Sequence, residues 1–345
     1  MQLLLAFAAL ATLGAAAPPP AALQPHIGGR VIAGRDAALS FGWPGVYFEG
    51  RFRGTGVRVK FDAPADHMRL LVDGEEKLRF KRAGLVDTTL HSLAPGDHTV
   101  RLEKLTESQT GGSRFLGFFP TAGGVALPPR PRRRQIEFIG DSYTVGYGNT
   151  SASQTCSEQE VHATTDTQQA FGPLLAKRLD ADYRINAYSG FGMVRNYNGG
   201  RPGLSLPVIY KRLKPDAPAP LERADGAWRP QVIVVNLGTN DFSTPLKAGE
   251  PWRDQDALKA AYRGTYVEFV RELAARQPQA RFILMGSELF FSEVEQVAIM
   301  LNKNARHPVT ALQFTGLDYA GCHSHPSLPD NRRLADLLQR IIGPI

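Results

Sequence analysis

The chain has 345 residues, 43 % of them hydrophobic and 21 % charged, the balance of a soluble globular protein long enough for two domains. Its excess of seven positive charges is scattered along the chain. The one dense run, Arg130 to Arg134, sits in a proline-rich stretch without any aromatic–basic repeat. This argues against a nucleic-acid partner and for a merely basic surface.

The chain opens on MQLLLAFAALATLGAAA followed by three prolines. An apolar run ending in small alanines predicts an export signal over residues 1–17, although no Lys or Arg precedes it. It is short for a membrane anchor, which needs about 20 apolar residues. The expectation is a protein exported to a periplasm or the outside, with no membrane contact after cleavage. The two cysteines, Cys156 and Cys322, can pair in such a compartment.

Residues 27–127 read as all-β. Val57, Val59 and Phe61 alternate with Arg58 and Lys60, and Met68-Arg69-Leu70-Leu71-Val72 is a second such run. Asp73-Gly74 and Pro95-Gly96-Asp97 supply turns between runs. Many short strands at close intervals predict a β-sandwich. Trp43, Tyr47 and Phe48 are read either as core residues or as sugar contacts. Residues 128–134, rich in Pro and Arg, read as a stiff linker.

Over residues 135–345 strands alternate with helices. Strands are expected at 136–140, 183–186, 231–237 and 281–285, and helices at 170–179, 258–276, 294–305 and 330–342. Such alternation implies an α/β fold with a mostly parallel sheet covered on both faces.

Four segments at strand ends or in the last loop carry chemistry. Gly140-Asp141-Ser142 follows the first of these strands, so Ser142 opens a helix with its hydroxyl presented at the edge where α/β sheets bind ligands. Ser189-Gly190-Phe191-Gly192 lets a backbone N–H approach a ligand, Gly238-Thr239-Asn240-Asp241 offers a side-chain amide, with Asp241 fixing its loop, and Cys322 to Ser327 contains His323 and His325. Each alone is more often a turn, a cap or a structural histidine.

In that order Ser142, Gly190, Asn240 and His325 resemble the four blocks of the SGNH (or GDSL) hydrolase superfamily. IEFIGDSYTVGYGN, CSE, SGFGMVRNYNG, GTNDFS and GC-x-x-HPS are similar to segments of carbohydrate esterase family 2, an acetylxylan esterase-like family. The resemblance implies a jelly-roll-like sandwich ahead of a flavodoxin-like three-layer α/β/α domain. It also implies a serine esterase that deacetylates polysaccharides or oligosaccharides of xylan or mannan type, with no metal or cofactor. Ser142 would be the nucleophile and His325 the base, with Ser142, Gly190 and Asn240 binding the oxyanion. The family often has an acid two residues before the base, where this chain has His323, a possible orienter of His325. A Ser142–His325 dyad with a backbone carbonyl orienting the histidine is therefore expected, and Asp318 lies at the wrong spacing to replace the acid. If the two residues meet, their loops converge and bring Cys156 and Cys322 within bridging range. A lipid or thioester hydrolase of the same superfamily, or a carbohydrate-binding protein with a decayed site, are the competing readings.

Overall fold

In the computed structural model of the chain, residues 21–108, 111–222, 226–303 and 308–343 are described. The expected export signal, residues 1–17, lies outside them. The first part is built from β1 (His26–Gly28), β2 (Ile32–Ala33), β3 (Leu39–Phe41), β4 (Tyr47–Gly54), β5 (Val57–Ala63), β6 (His67–Val72), β7 (Glu75–Lys81), β8 (Gly84–Leu90), β9 (Gly96–Lys104), β10 (Ser113–Pro120) and β11 (Val125–Leu127). Two antiparallel sheets result, ordered β1-β4-β9-β6-β7, with β11 also on β4, and β2-β3-β10-β5-β8.

The alternation that predicts these strands is the alternation that buries them. Along β5, Val57, Val59, Phe61 and Ala63 point inward while Arg58 faces solvent. Phe48 of one sheet stacks on Phe115 of the other, with ring centres 4.2 Å apart, so the two inner faces share one core. Trp43, Tyr47 and Phe48 are all buried, which corrects the sugar-contact alternative: they are core.

The second part runs β12 (Arg134–Gly140), α1 (Ser142–Val145), α2 (Glu158–Thr164), α3 (Phe171–Arg178), β13 (Ala181–Ala187), α4 (Leu206–Tyr210), β14 (Val232–Asn236), α5 (Thr239–Phe242), α6 (Gln255–Arg276), β15 (Arg281–Ser287), α7 (Phe291–Asn302), β16 (Val309–Phe314) and α8 (Leu328–Ile342). All five strands pair in parallel in the order β13-β12-β14-β15-β16, which is the flavodoxin-like order. Helices cover both faces. Val232 and Val234 of β14 pack with α3 and α8, while Ile233 and Val235 between them pack with α6 and α7. The sequence reading missed β16 and α2, and of the helix expected at 294–305 the structure shows Phe291–Asn302.

Polar contacts fasten the two parts together. At the start of β13, the Asp182 carboxylate accepts from His26 at 2.8 Å and from the Tyr47 hydroxyl at 2.7 Å. It also accepts from the Arg132 backbone N–H at 3.1 Å, and the Arg132 guanidinium reaches Glu49. The segment expected to be a spacer is thus docked rather than extended into solvent, and its last residue, Arg134, already belongs to β12.

One ion pair is wholly enclosed in the sandwich: Lys104 Nζ donates to Asp66 Oδ1 at 2.8 Å, and neither side chain is exposed. Asp66 also accepts from Thr106, Ser108 and Ser113. Burial opposes its ionisation, but Lys104 and these hydroxyls hold its carboxyl below the ordinary value. Lys104→Met should leave that charge uncompensated and lower stability by about 3–5 kcal/mol, read from urea unfolding. A loss below about 1 kcal/mol would show that the pair is not closed from water.

Candidate active site

The site forms where the sheet's carboxyl ends meet the last loop. β12 ends at Gly140, and Asp141 caps α1 by accepting from the Tyr143 N–H, so Ser142 is the first residue of a single helical turn. Gly140 serves close approach rather than unusual backbone. A Cβ there would meet the Thr144 hydroxyl at 2.0 Å and the Asn236 carbonyl at 2.9 Å. The capping side chain is that of Asp141, so the hydroxyl of Ser142, the adjacent residue, takes no part in the cap.

His325 Nε2 lies 2.8 Å from Ser142 Oγ. Its Nδ1 faces two main-chain carbonyls, Cys322 at 2.9 Å and His323 at 3.2 Å. Those contacts place the ring proton on Nδ1, which frees Nε2 to accept from the serine. The His323 side chain is not an orienter: its nitrogens bond the Tyr147 hydroxyl at 3.1 Å and the Cys156 carbonyl at 2.7 Å. What it contributes is its carbonyl, aimed at His325 because His323 and Ser324 both adopt left-handed backbone angles, φ 51° and 57°. Asp318 is turned elsewhere, accepting from the Ala320 N–H. Burial pushes the His325 pKa down to about 4.

The loop after β13 supplies Gly190, at φ 81°, a left-handed position that suits glycine. Neither its N–H nor that of Ser142 has a hydrogen-bond partner among the described residues. Asn240, near the start of α5, donates from Nδ2 to the Phe191 carbonyl at 2.8 Å and approaches Asp141 Oδ2 at 3.4 Å. Asp241 accepts from the N–H groups of Met193, Val194 and Arg195, each at 2.9 Å, and so ties the Gly190 loop to α5. Burial raises the Asp241 carboxyl to about 6 and, with Asp241 as a neighbour, the Asp141 carboxyl to about 7.

Comparison with known proteins gives the family. A family model described as carbohydrate esterase 2 N-terminal matches residues 27–130, and one described as GDSL-like lipase/acylhydrolase family matches residues 138–339. The chain is 48 % identical to an acetylxylan esterase / glucomannan deacetylase from Cellvibrio japonicus, over 91 % of this chain and 89 % of that one. This chain belongs to carbohydrate esterase family 2. Among solved structures, a carbohydrate esterase described as having divergent catalytic and non-catalytic binding functions superposes with TM-score 0.87 at 45 % identity, covering 93 % of this chain and 98 % of that one. A family two carbohydrate esterase from Clostridium thermocellum, in complex with cellohexaose, superposes with TM-score 0.80 at 28 % identity, covering 92 % and 98 %. The chain is therefore a carboxylic ester hydrolase with the two-part architecture of its family.

Two further features of the esterase escape sequence reading. The Tyr147 ring lies 4.3 Å from the His325 ring, and its hydroxyl holds His323. A cleft of about 670 Å³ opens beside Tyr147, walled by Arg82 and Glu107 of the sandwich and by Glu158 and His162 of α2. Tyr147 sits inside the serine segment, but no residue pattern announces a ring against the histidine.

Cys156 and Cys322 form a disulfide. It joins the loop after Ser142 to the loop of His325, alongside the His323 N–H bond to the Gln154 carbonyl at 2.7 Å. Alkylation before reduction should add no mass to the intact protein. Reduction should lower kcat at denaturant concentrations that leave the fold intact, because the bridge holds the His325 loop in register with Ser142. Two labelled thiols without reductant, or activity and circular dichroism lost together, would contradict this role.

Proposed function

We propose that this esterase removes acetyl groups from acetylated xylan- or mannan-type polysaccharides through a Ser142–His325 dyad. The observation that carries the proposal is the 2.8 Å approach of His325 Nε2 to Ser142 Oγ with Nδ1 held by main-chain carbonyls. Ser142 Oγ attacks the acetyl carbonyl carbon while its proton passes to His325 Nε2. The tetrahedral oxyanion is held by the N–H groups of Ser142 and Gly190 and by Asn240, whose contact to Asp141 is long enough to yield. Collapse breaks the bond to the sugar oxygen, which takes the proton from His325. Water, deprotonated by His325, then attacks the acetyl-enzyme, releasing acetate and restoring the serine.

The name of the Cellvibrio relative supports the substrate class. The cleft beside Tyr147 supports it too, since its charged walls suit a hydroxyl-rich sugar better than a long acyl chain. The disulfide accords with an exported protein. Turnover of p-nitrophenyl acetate well above the butyrate and octanoate esters, with acetate released from acetylated xylan or glucomannan, is the expected result. A preference for octanoate would favour the lipid-hydrolase reading. No turnover of any ester would favour the binding-protein reading.

Ser142→Ala should abolish turnover while the fold is retained. His325→Ala should cost several orders of magnitude in kcat, and His323→Ala far less, because the orienting group at that position is a carbonyl that alanine retains. Equal severe losses at both histidines would make the His323 side chain a third member of the machinery.

The pH profile follows from burial. Burial disfavours the charged imidazolium, so the neutral base persists below the ordinary histidine pKa of about 6.5. As pH falls, kcat/KM for p-nitrophenyl acetate should hold through pH 6 and decline through about 4. Burial also raises the Asp241 carboxyl to about 6 and the Asp141 carboxyl to about 7. An acid limb at about pH 6.5 therefore contradicts a depressed His325 pKa only where the NMR titration of the histidine ring moves with it.

A further inference from the structure

Glu107 belongs to the sandwich, three residues past the end of β9. Its Oε1 accepts from the backbone N–H of Ser189 at 2.7 Å. Ser189 is the residue before Gly190, so this bond fixes the peptide immediately ahead of the one that presents the Gly190 N–H. The rest of that loop is held from within the second part. The Gly190 carbonyl accepts from the Tyr197 N–H at 2.8 Å, the Phe191 carbonyl from Asn240, and Asp241 gathers the N–H groups of residues 193–195. Among these fastenings, Glu107 is the one that comes from the sandwich.

The segment carrying Glu107 is itself rigidly placed. Thr106 and Ser108, its neighbours on either side, both donate their hydroxyls to the enclosed Asp66. Lys104 donates to the Thr106 carbonyl, and the Leu105 carbonyl accepts from the Thr167 N–H. A buried charge network thus sets a short stretch of sandwich backbone against the loop of the oxyanion donor. Glu107 also lines the cleft beside Tyr147.

We propose that Glu107 is a positioning residue for ester hydrolysis: its carboxylate sets the Ser189–Gly190 peptide so that the Gly190 N–H meets the oxyanion, which makes the sandwich a working part of the active site. The inference rests on the Ser142-centred reading given above. An oxyanion donor acts only if it is aimed before the charge develops, and losing one outright costs about 10²- to 10³-fold in kcat. A donor left in place but free to turn should cost less.

The test compares Glu107→Ala, Glu107→Asp and Glu107→Gln in the full chain on p-nitrophenyl acetate, with active sites counted by a fluorophosphonate titrant. Ala and Asp, which cannot reach the Ser189 N–H, should lower kcat per titrated site roughly 10- to 100-fold with KM changed less than about twofold. Gln keeps an acceptor oxygen at the same reach and should stay within about threefold of the parent. A purely structural role would instead lower the thermal midpoint and the fraction of titratable sites while leaving kcat per site unchanged, and that result overturns the proposal. So does a Gln variant as slow as Ala, which would make charge rather than the N–H bond the cause. Should Ala fail to fold, Asp, which keeps the charge, decides. A parent enzyme that does not turn over the acetate ester would defeat the Ser142 reading itself, separately from any ranking of the variants.

Discussion

The hydrogen bond between Ser142 and His325 joins residues 183 positions apart, and most of the second part is arranged to keep it at 2.8 Å. The serine is fixed by a strand end and a capped turn. The histidine is not on a regular element at all, so its position depends on the loop around it. That loop is closed by the disulfide, by the His323 backbone and side chain against residues 154–156, and by the Tyr147 hydroxyl. Left-handed backbone at His323 and Ser324 then turns two carbonyls onto Nδ1. A carbonyl selects the same tautomer as a carboxylate but carries no net charge, so it stabilises the imidazolium less. The same lack of a counter-charge lets burial keep the free imidazole neutral well below the ordinary range. In the proposed dyad, base strength is exchanged for readiness.

The oxyanion side is built on a different principle. On the proposed mechanism its donors are backbone and amide groups, and buried carboxylates hold the loops that carry them. Asp241 takes three N–H groups of the Gly190 loop, and Asp141 caps the turn that begins at Ser142. Both lie in surroundings that raise their pKa values, so hydrogen bonds to the ionised form do not fully offset desolvation. Fixed dipoles of this kind need no reorganisation when charge appears on the substrate.

Sequence periodicity disclosed what is repetitive and buried. Strand β14, all of whose residues are buried, and the long helix α6 were legible, as was the alternation along β5. The edge strand β16 was not, because only three of its residues are buried and their spacing is irregular. Helix α2 buries Val161 alone and so has no apolar stripe; its real signature is the capping box of Ser157 and Glu160. Ser142, Gly190, Asn240 and His325 were legible only as an ordered set, each being ordinary by itself. The aim of the His323 carbonyl and the reach of Glu107 had no local signal. One depends on a backbone angle, and the other on a contact 82 positions away in sequence.

The enclosed Lys104–Asp66 pair bears on why the sandwich is retained against the second part. Replacing a buried ion pair by well-packed apolar residues is often neutral or stabilising, so such a pair is weak evidence for stability as such. Its distinctive property is directional. Asp66 accepts from hydroxyls at positions 106, 108 and 113 at once, and Lys104 adds the Thr106 carbonyl. An apolar cluster of equal volume would tolerate sliding of this segment by a fraction of an ångström, whereas hydrogen bonds weaken steeply with misalignment. At the opposite edge of the interface, Asp182 collects His26, Tyr47 and Arg132 in the same manner. With polar anchors at both ends, the sandwich meets the α/β sheet in one register, and only one register sets Glu107 against the Ser189 N–H.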